Sequence, residues 1–399
     1  MHILLVTGPG GAGRTTVAAA TALGAARAGR RVLLLSGDPG DPLAALLHDP
    51  AAPLGPAVPV AEGLTAAQAG PDGPWVARID SGEEFRQELV ALQERGTAVL
   101  GMLGARALGA DELTELPGAE QFALLRALRR AAAADGFDLA VVDMPPAHHA
   151  VAALALPGQL RRYLARLLPA ERQAARALRP VLAQLAGVPM PARWLYEAAA
   201  RWDAELAAVQ AVIESPTTRV RLVAEPGPAG YDALRLAGLG LALHQVPVES
   251  VVANRTVPAG SADPWLAGLA ARQDKYLGQW PGARTLPHLG RDPRGRDDLA
   301  LLDPGALADA PARRAAWPVE DRLAEDGVLV WRVPLPGAEK RDLDLVRRGD
   351  ELLLTAGPYR RIVPLPSALR RCTVSGAALR DGELRIRFTP DPALWPRTP

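Results

Sequence analysis

Short, mostly apolar runs punctuate the first part of the chain, and Ala- and Leu-rich stretches separate them. Residues 3–6, 31–35, 139–142, 220–223 and 248–252 are such runs. A run apolar on consecutive positions, not on alternate ones, predicts a strand buried on both faces. Residues 15–28 are Ala-rich and predict a helix after the first run. Strand and helix alternate in this way, so a mostly parallel sheet covered by helices is expected. Two further stretches, about 83–135 and 158–215, predict a helical insert. Within the second, Leu160, Leu164, Leu167 and Leu168 share one helical face, with Arg161, Arg162 and Arg166 interleaved.

The period changes beyond residue 325. Residues 328–333, 351–355, 361–365 and 383–388 read as strands, and in the last of these Leu384, Ile386 and Phe388 alternate with charged or polar positions. Gly and Pro separate these runs. The pattern predicts a small all-β domain at about 326–396. Residues 303–325, rich in Pro, Ala and charge, read as a linker, and residues 1–302 as the α/β domain.

Composition narrows the function. The chain has 399 residues, 49% hydrophobic and 22% charged, which fits a folded protein of more than one domain. Its net charge of +1 gives no global field for nucleic acid or an anionic membrane. Lys275 and Lys340 are the only lysines, so Arg supplies nearly all the positive charge. Cys372 is the sole cysteine, which excludes an intrachain disulfide and a multi-cysteine metal site. No targeting signal and no apolar stretch of membrane-spanning length is visible, so a cytoplasmic protein without an integral membrane segment is expected.

The strongest chemical signal is Gly8-Pro9-Gly10-Gly11-Ala12-Gly13-Arg14-Thr15-Thr16. It follows a strand and opens a helix. Glycines let the backbone turn tightly and present N–H groups to an anion, and the helix N-terminus adds its dipole. The loop fits two templates. As G-x-x-x-x-G-K-[ST] it has Arg14 in the lysine position and Thr15 where a hydroxyl would hold Mg2+. As G-x-G-x-x-G it is a dinucleotide fingerprint, with Asp38 as a ribose acid. Thr15, Thr16 and the later Asp143 favour the first, a P-loop NTPase fold.

Here the chain resembles a family. The loop is similar to GKGGVGKTT, the deviant P-loop of the ArsA-like ATPases, which include the arsenite-pump ATPase and the ATPase that targets tail-anchored membrane proteins. Ser36-Gly37-Asp38-Pro39-Gly40-Asp41 resembles that family's STDPAH segment, and Asp143-Met144-Pro145-Pro146-Ala147-His148-His149 its DTAPTGH segment. Pro117-Gly118-Ala119-Glu120 resembles PG-x-[DE]. Val252-Ala253-Asn254-Arg255 resembles V-V-N-[QKR]. The β domain after about residue 326 resembles the small-heat-shock (α-crystallin-like) domain carried by one branch of the family, and residues 377–386 are the segment most like it.

The resemblance implies ATP and Mg2+ as ligands. It implies that Gly8, Gly10, Gly11, Ala12, Gly13, Arg14, Thr15 and Thr16 bind the nucleotide phosphates. Thr15 and Asp143 would hold the metal, Asp38 would orient the attacking water, and Asn254 would bond adenine. It further implies a homodimer and an apolar protein or membrane-protein client for the helical insert. Two departures bear on activity. The family's signature lysine is Pro9 here, which has neither charge nor N–H. The second loop lysine is Arg14, whose planar fork does not replace a compact ammonium. Slow hydrolysis or none is therefore expected. The arsenite-binding cysteines and the zinc CxxC are absent as well. His148 and His149 are adjacent, so their side chains diverge and a metal site is not expected there. Three functions compete: a nucleotide-dependent switch, a pseudo-ATPase scaffold or chaperone-like module, and an NAD(P)-binding oxidoreductase, for which no catalytic acid or base is evident.

Overall fold

The structure is a computed structural model. It describes all residues except 39, 51–52, 98–100, 102–103, 169–190, 309 and 396–399. Pro39 of the second motif, part of the first helical stretch and the middle of the second therefore lie outside the described residues.

Sixteen strands, β1 to β16, fall into three sheets among the described residues. The first has nine strands in the order β3-β4-β5-β2-β6-β1-β7-β8-β9. Its parallel part comprises β5 (Trp75–Arg78), β2 (Val32–Ser36), β6 (Leu139–Asp143), β1 (His2–Thr7), β7 (Thr218–Ala224), β8 (Val248–Thr256) and β9 (Arg284–Pro287). Strands β4 (Leu64–Gln68) and β3 (Val58–Ala61) add an antiparallel edge. Every residue of β2 and β6 is buried, which is why these runs carry no alternation.

Helices cover both faces, and the core divides accordingly. One cluster gathers Leu4, Val6, Leu34 and Val141 with Val17 and Leu23 of α1 (Arg14–Arg27). The other gathers Ile3, Leu5, Leu33 and Val142 with α4 (Ala119–Ala132) and α5 (Ala147–Leu167). A short α2 (Pro42–Leu47) packs beside α1. The helical layer over the second face also includes α3 (Ser81–Arg95) and α6 (Pro191–Glu214), with α6 against α5 and α4. Helix α3 buries no residue fully, and Leu167 of the predicted leucine face is 77% exposed.

The C-terminal part is antiparallel throughout. Strands β10 (Val319–Arg322), β11 (Val328–Pro334), β16 (Glu383–Pro390) and β15 (Cys372–Arg380) form one sheet. Strands β12 (Leu343–Arg348), β13 (Glu351–Ala356) and β14 (Tyr359–Pro364) form another. Strand β10 lies in the stretch read as a linker, paired with β11 from Val319↔Trp331 to Arg322↔Val328. Apolar packing runs on into the α/β part through α7 (Pro228–Leu243). A Cβ at Gly240 of α7 would strike the Tyr359 ring, so β14 seats against a helix made locally thin by glycine. Ion pairs flank that contact: Arg235 to Asp342 at 2.8 Å, and Arg162 to Glu351 at 2.6 Å.

Candidate nucleotide site

All parallel strands end at the same edge of the sheet, and β1 sits between β6 and β7. Its chain turns through Gly8–Gly13 into α1, so the loop lies at the carboxyl ends of the strands, where open α/β sheets place their ligands. The sequence makes this turn possible in specific ways. A Cβ at Gly8 would collide with the Val223 carbonyl of β7, so only glycine fits there. Gly11 and Gly13 take left-handed φ of 78° and 85°. Gly13 is the N-cap of α1, and a Cβ on it would meet the Asn254 side chain. Nothing lies within 4 Å of a Cβ built on Gly10 or Gly11, so this stretch of backbone faces open space.

The loop is fastened from both sides. Ala147 N–H donates to Gly8 O at 2.9 Å, and the Thr7 hydroxyl donates to Pro145 O at 2.7 Å. Across the loop, Asn254 is buried and donates from Nδ2 to Ala12 O at 2.8 Å. Its neighbour Arg255 has φ 57° and donates to Gly11 O at 3.0 Å and to Glu225 at 2.6 Å. The Arg14 guanidinium donates to the Met144 carbonyl. Its fork is thus tied to the strand end following β6.

Four oxygen-bearing side chains, those of Thr15, Ser36, Asp38 and Asp143, converge beside the loop. The Thr15 hydroxyl is 3.4 Å from Asp38 Oδ2. Asp143 ends β6, and Ser36 ends β2 in register with it. The Ser36 hydroxyl donates to Asp143 Oδ2 at 3.0 Å and accepts from Asp38 N–H at 3.3 Å. Asp143 Oδ1 is buried with no hydrogen-bond partner among the described residues. Burial pushes the Asp143 pKa up from 3.8 to about 6, the Asp38 charge adds to the rise, and Thr15, Arg14 and Ser36 oppose it. A buried carboxylate with one oxygen unmatched, next to a second carboxylate and a hydroxyl, is a hard oxygen donor set. It fits a small divalent cation. Thr16 lies half-buried on the first turn of α1. A cleft of about 180 Å³ opens from Asp38 and Asp143 toward Glu120, Pro145 and His149.

The loop, Asp38, Asp143 and Asn254 are therefore brought to one place. Sequence reading missed Ser36, Arg255 and Glu225 as parts of it. Ser36 stood inside a quoted motif, but only the pairing of β2 with β6 reveals its contact. His148 and His149 do not diverge, contrary to what their adjacent positions predict: both are exposed on the first turn of α5, and their rings lie together with centroids 3.9 Å apart. Partial burial and the neighbouring His149 lower the His148 pKa. Among the described residues, no group of three or more His, Cys, Asp or Glu is placed to hold a metal, and no helix is long and apolar enough to cross a membrane.

A glycine loop between the central strand and the first helix, with acids at neighbouring strand ends, defines a nucleotide-binding fold of the P-loop class. The comparisons with known proteins identify which one. The chain belongs to the ArsA family of anion-transporting ATPases, whose model matches residues 1–281; the model of the HSP20-like domain found in ArsA matches residues 326–388. An uncharacterized protein of Streptomyces coelicolor is 60% identical over 403 residues, spanning 100% of both chains. A protein of Mycobacterium tuberculosis is 31% identical over 438 residues, covering 99% of this chain and 97% of that one. A protein of Aquifex aeolicus provisionally named arsenical pump-driving ATPase 1 is 24% identical over 407 residues, covering 97% and 99%.

Proposed function

We propose that the chain binds ATP with Mg2+ at the glycine loop and that the bound nucleotide switches the helical layer between states that hold or release an apolar client. The observation that carries this reading is the unpartnered, buried Asp143 Oδ1 beside Thr15 and Asp38. In it, the N–H groups of Gly10, Gly11, Ala12, Gly13, Arg14, Thr15 and Thr16 cradle the phosphates, with Gly8 setting the turn. Thr15 and Asp143 hold the metal. When bound, Mg2+ neutralises charge on the phosphoryl oxygens. Asp38 takes the place of a water-orienting acid. Asn254, its amide N–H on Ala12 O, keeps its carbonyl oxygen for a base. A homodimer would lack the signature lysine, since Pro9 brings no cation to a partner's phosphates.

The helical layer supplies support for the client. Phe85, Leu89 and Leu92 of α3, Phe122 of α4 and Trp202 of α6 line an apolar groove of about 230 Å³. Helix α5 starts at Ala147, immediately after the Asp143 segment, so movement at the metal would be passed to this layer. A second reading, a pseudo-ATPase that binds nucleotide without turning it over, is favoured by the Arg14 bond to Met144 O.

Hydrogen exchange with and without ATP–Mg2+ tests the switch. The expected result is protection of residues 8–16 together with altered exchange in α3, α4 and α6. Protection confined to the loop would refute the switch and leave binding alone.

A further inference from the structure

We infer that the seam between the helical layer and the C-terminal sheets is a second ligand site, which takes a small anion with an apolar body. A cavity of about 600 Å³ opens there, within the size range of small-molecule sites. Gly158 and Arg162 of α5, Glu214 of α6, His244 after α7, Arg314 of the connecting segment and Arg361 of β14 line it. The inference is independent of the glycine loop and of any nucleotide there.

The charges do not balance. Arg162 is satisfied by Glu351, to which it donates twice, at 2.9 and 2.6 Å. Arg314 shares Glu214 at 3.6 Å and donates to Gln245 O at 3.0 Å. Arg361 has no carboxylate partner among the described residues. Its Nη1 donates to Leu243 O at 2.7 Å and to Gln245 Oε1 at 3.1 Å, and its guanidinium carbon lies 5.0 Å from the centre of the Trp317 ring. Arg360 also lines the cavity, and among the described residues it bonds only Thr355, at 3.4 Å. Four guanidiniums thus face two carboxylates. Burial and the neighbouring Arg314 push the Arg361 pKa down to about 10, with Glu214 opposing. An arginine held this way is short of negative charge. His244 does not add to the positive side near neutral pH, because burial and then Arg361 push its pKa down to about 3.

The remaining wall is apolar: Leu154, Ile213, Val246 and Val363. A carboxylate or phosphate on a compact apolar body therefore matches both parts of the lining. Such a ligand would bridge β14, the connecting segment and α5. Helix α5 begins at Ala147, close behind Asp143, so the occupant would tie the C-terminal sheets to the helix that leaves the nucleotide site.

Calorimetric titration of the full chain with benzoate, and separately with phenyl phosphate, tests the inference. Each probe is run on wild type, Arg361→Gln and Arg360→Gln. The glycine loop is identical in all three, so a difference between them reports the cavity. Binding of at least one probe to wild type is expected, weakened roughly tenfold or more by Arg361→Gln and several-fold by Arg360→Gln. Benzoate alone would mark a carboxylate ligand, and phenyl phosphate alone a phosphate. Arg360 is exposed, so its variant keeps the test decisive if Arg361→Gln fails to fold. Equal affinity in wild type and the variants, or no binding of either probe to wild type, would overturn the inference.

Discussion

Asp143→Asn is expected to make the nucleotide-free protein more stable and to remove its response to Mg2+. The Asp143 pKa rises from 3.8 to about 6 on folding, so the folded state disfavours the charged carboxylate. The unfolded chain ionises first as pH rises. Stability is therefore lost between about pH 4 and 6, and the full penalty stands above that window. A gap of roughly two units corresponds to about 3 kcal/mol. Asparagine carries no charge and can still meet Ser36, whose hydroxyl donates to Asp143 Oδ2 at 3.0 Å. A gain of about 1–3 kcal/mol at pH 8 follows, shrinking to near zero at pH 4. In wild type, ATP–Mg2+ is expected to raise the melting temperature at pH 8, because a bound cation would relieve that penalty; in Asp143→Asn the Mg2+-dependent part of that rise is expected to be lost. Thermal melts at both pH values, with and without ATP–Mg2+, check this. A variant that is less stable than wild type and still responds to Mg2+ would mean that Asp143 is an ordinary strand-end residue.

Restoring both loop lysines, as Pro9→Lys with Arg14→Lys, is expected to speed phosphate release by roughly a hundredfold or more. Phosphoryl transfer depends on positioned positive charge more than on covalent chemistry. Wild type is short of it twice over. Pro9 contributes no cation, and Arg14 donates to the Met144 carbonyl. An ammonium is smaller and rotates freely, so it can meet phosphate oxygens that a planar fork tied to a carbonyl does not. Arg14→Lys alone should give part of the gain. Steady-state phosphate release from wild type, single and double variants measures it. Wild-type turnover in the usual range of enzymes, about 1–10³ s⁻¹, would show that another cation already does the work. Arg255, which donates to Gly11 O at 3.0 Å, would then be the residue to test.

The central strands were legible in the sequence for a physical reason. Strands β1, β2 and β6 are buried on both faces, so their apolar runs are continuous and need no alternation to be seen; β7 is buried throughout as well but carries Arg219 and Arg221 among its apolar residues. The edge of the sheet was not legible. Strand β4 reads Leu-Thr-Ala-Ala-Gln and β5 Trp-Val-Ala-Arg, too short or too weak in β-branched residues to stand out. Strand β15 carries Gly376 and Ala377 and is interrupted by a bulge between Val374 and Gly376. Strand β10, Val-Glu-Asp-Arg, has one apolar residue and owes its form to pairing with β11.

The site divides in the same way. Gly8, Gly10, Gly11, Gly13, Thr15, Asp38, Asp143 and Asn254 stand in local motifs that spacing and resemblance expose. The roles of Ser36, Arg14 and Arg255 depend on strand order. Ser36 meets Asp143 only because β2 lies beside β6, and Arg14 meets Met144 only because β6 lies beside β1. The arginines of the second cavity come from α5, the connecting segment and β14, and no local pattern links them.

Calorimetric titration of the full chain with ATP, in the presence and absence of Mg2+ and with NAD+ as a control, tests the central claim most directly. The account predicts ATP binding that strengthens with Mg2+, that weakens as pH falls below about 6 where Asp143 takes up a proton, and that NAD+ does not reproduce. ATP binding indifferent to Mg2+, binding of NAD+ instead, or binding of neither nucleotide would contradict it.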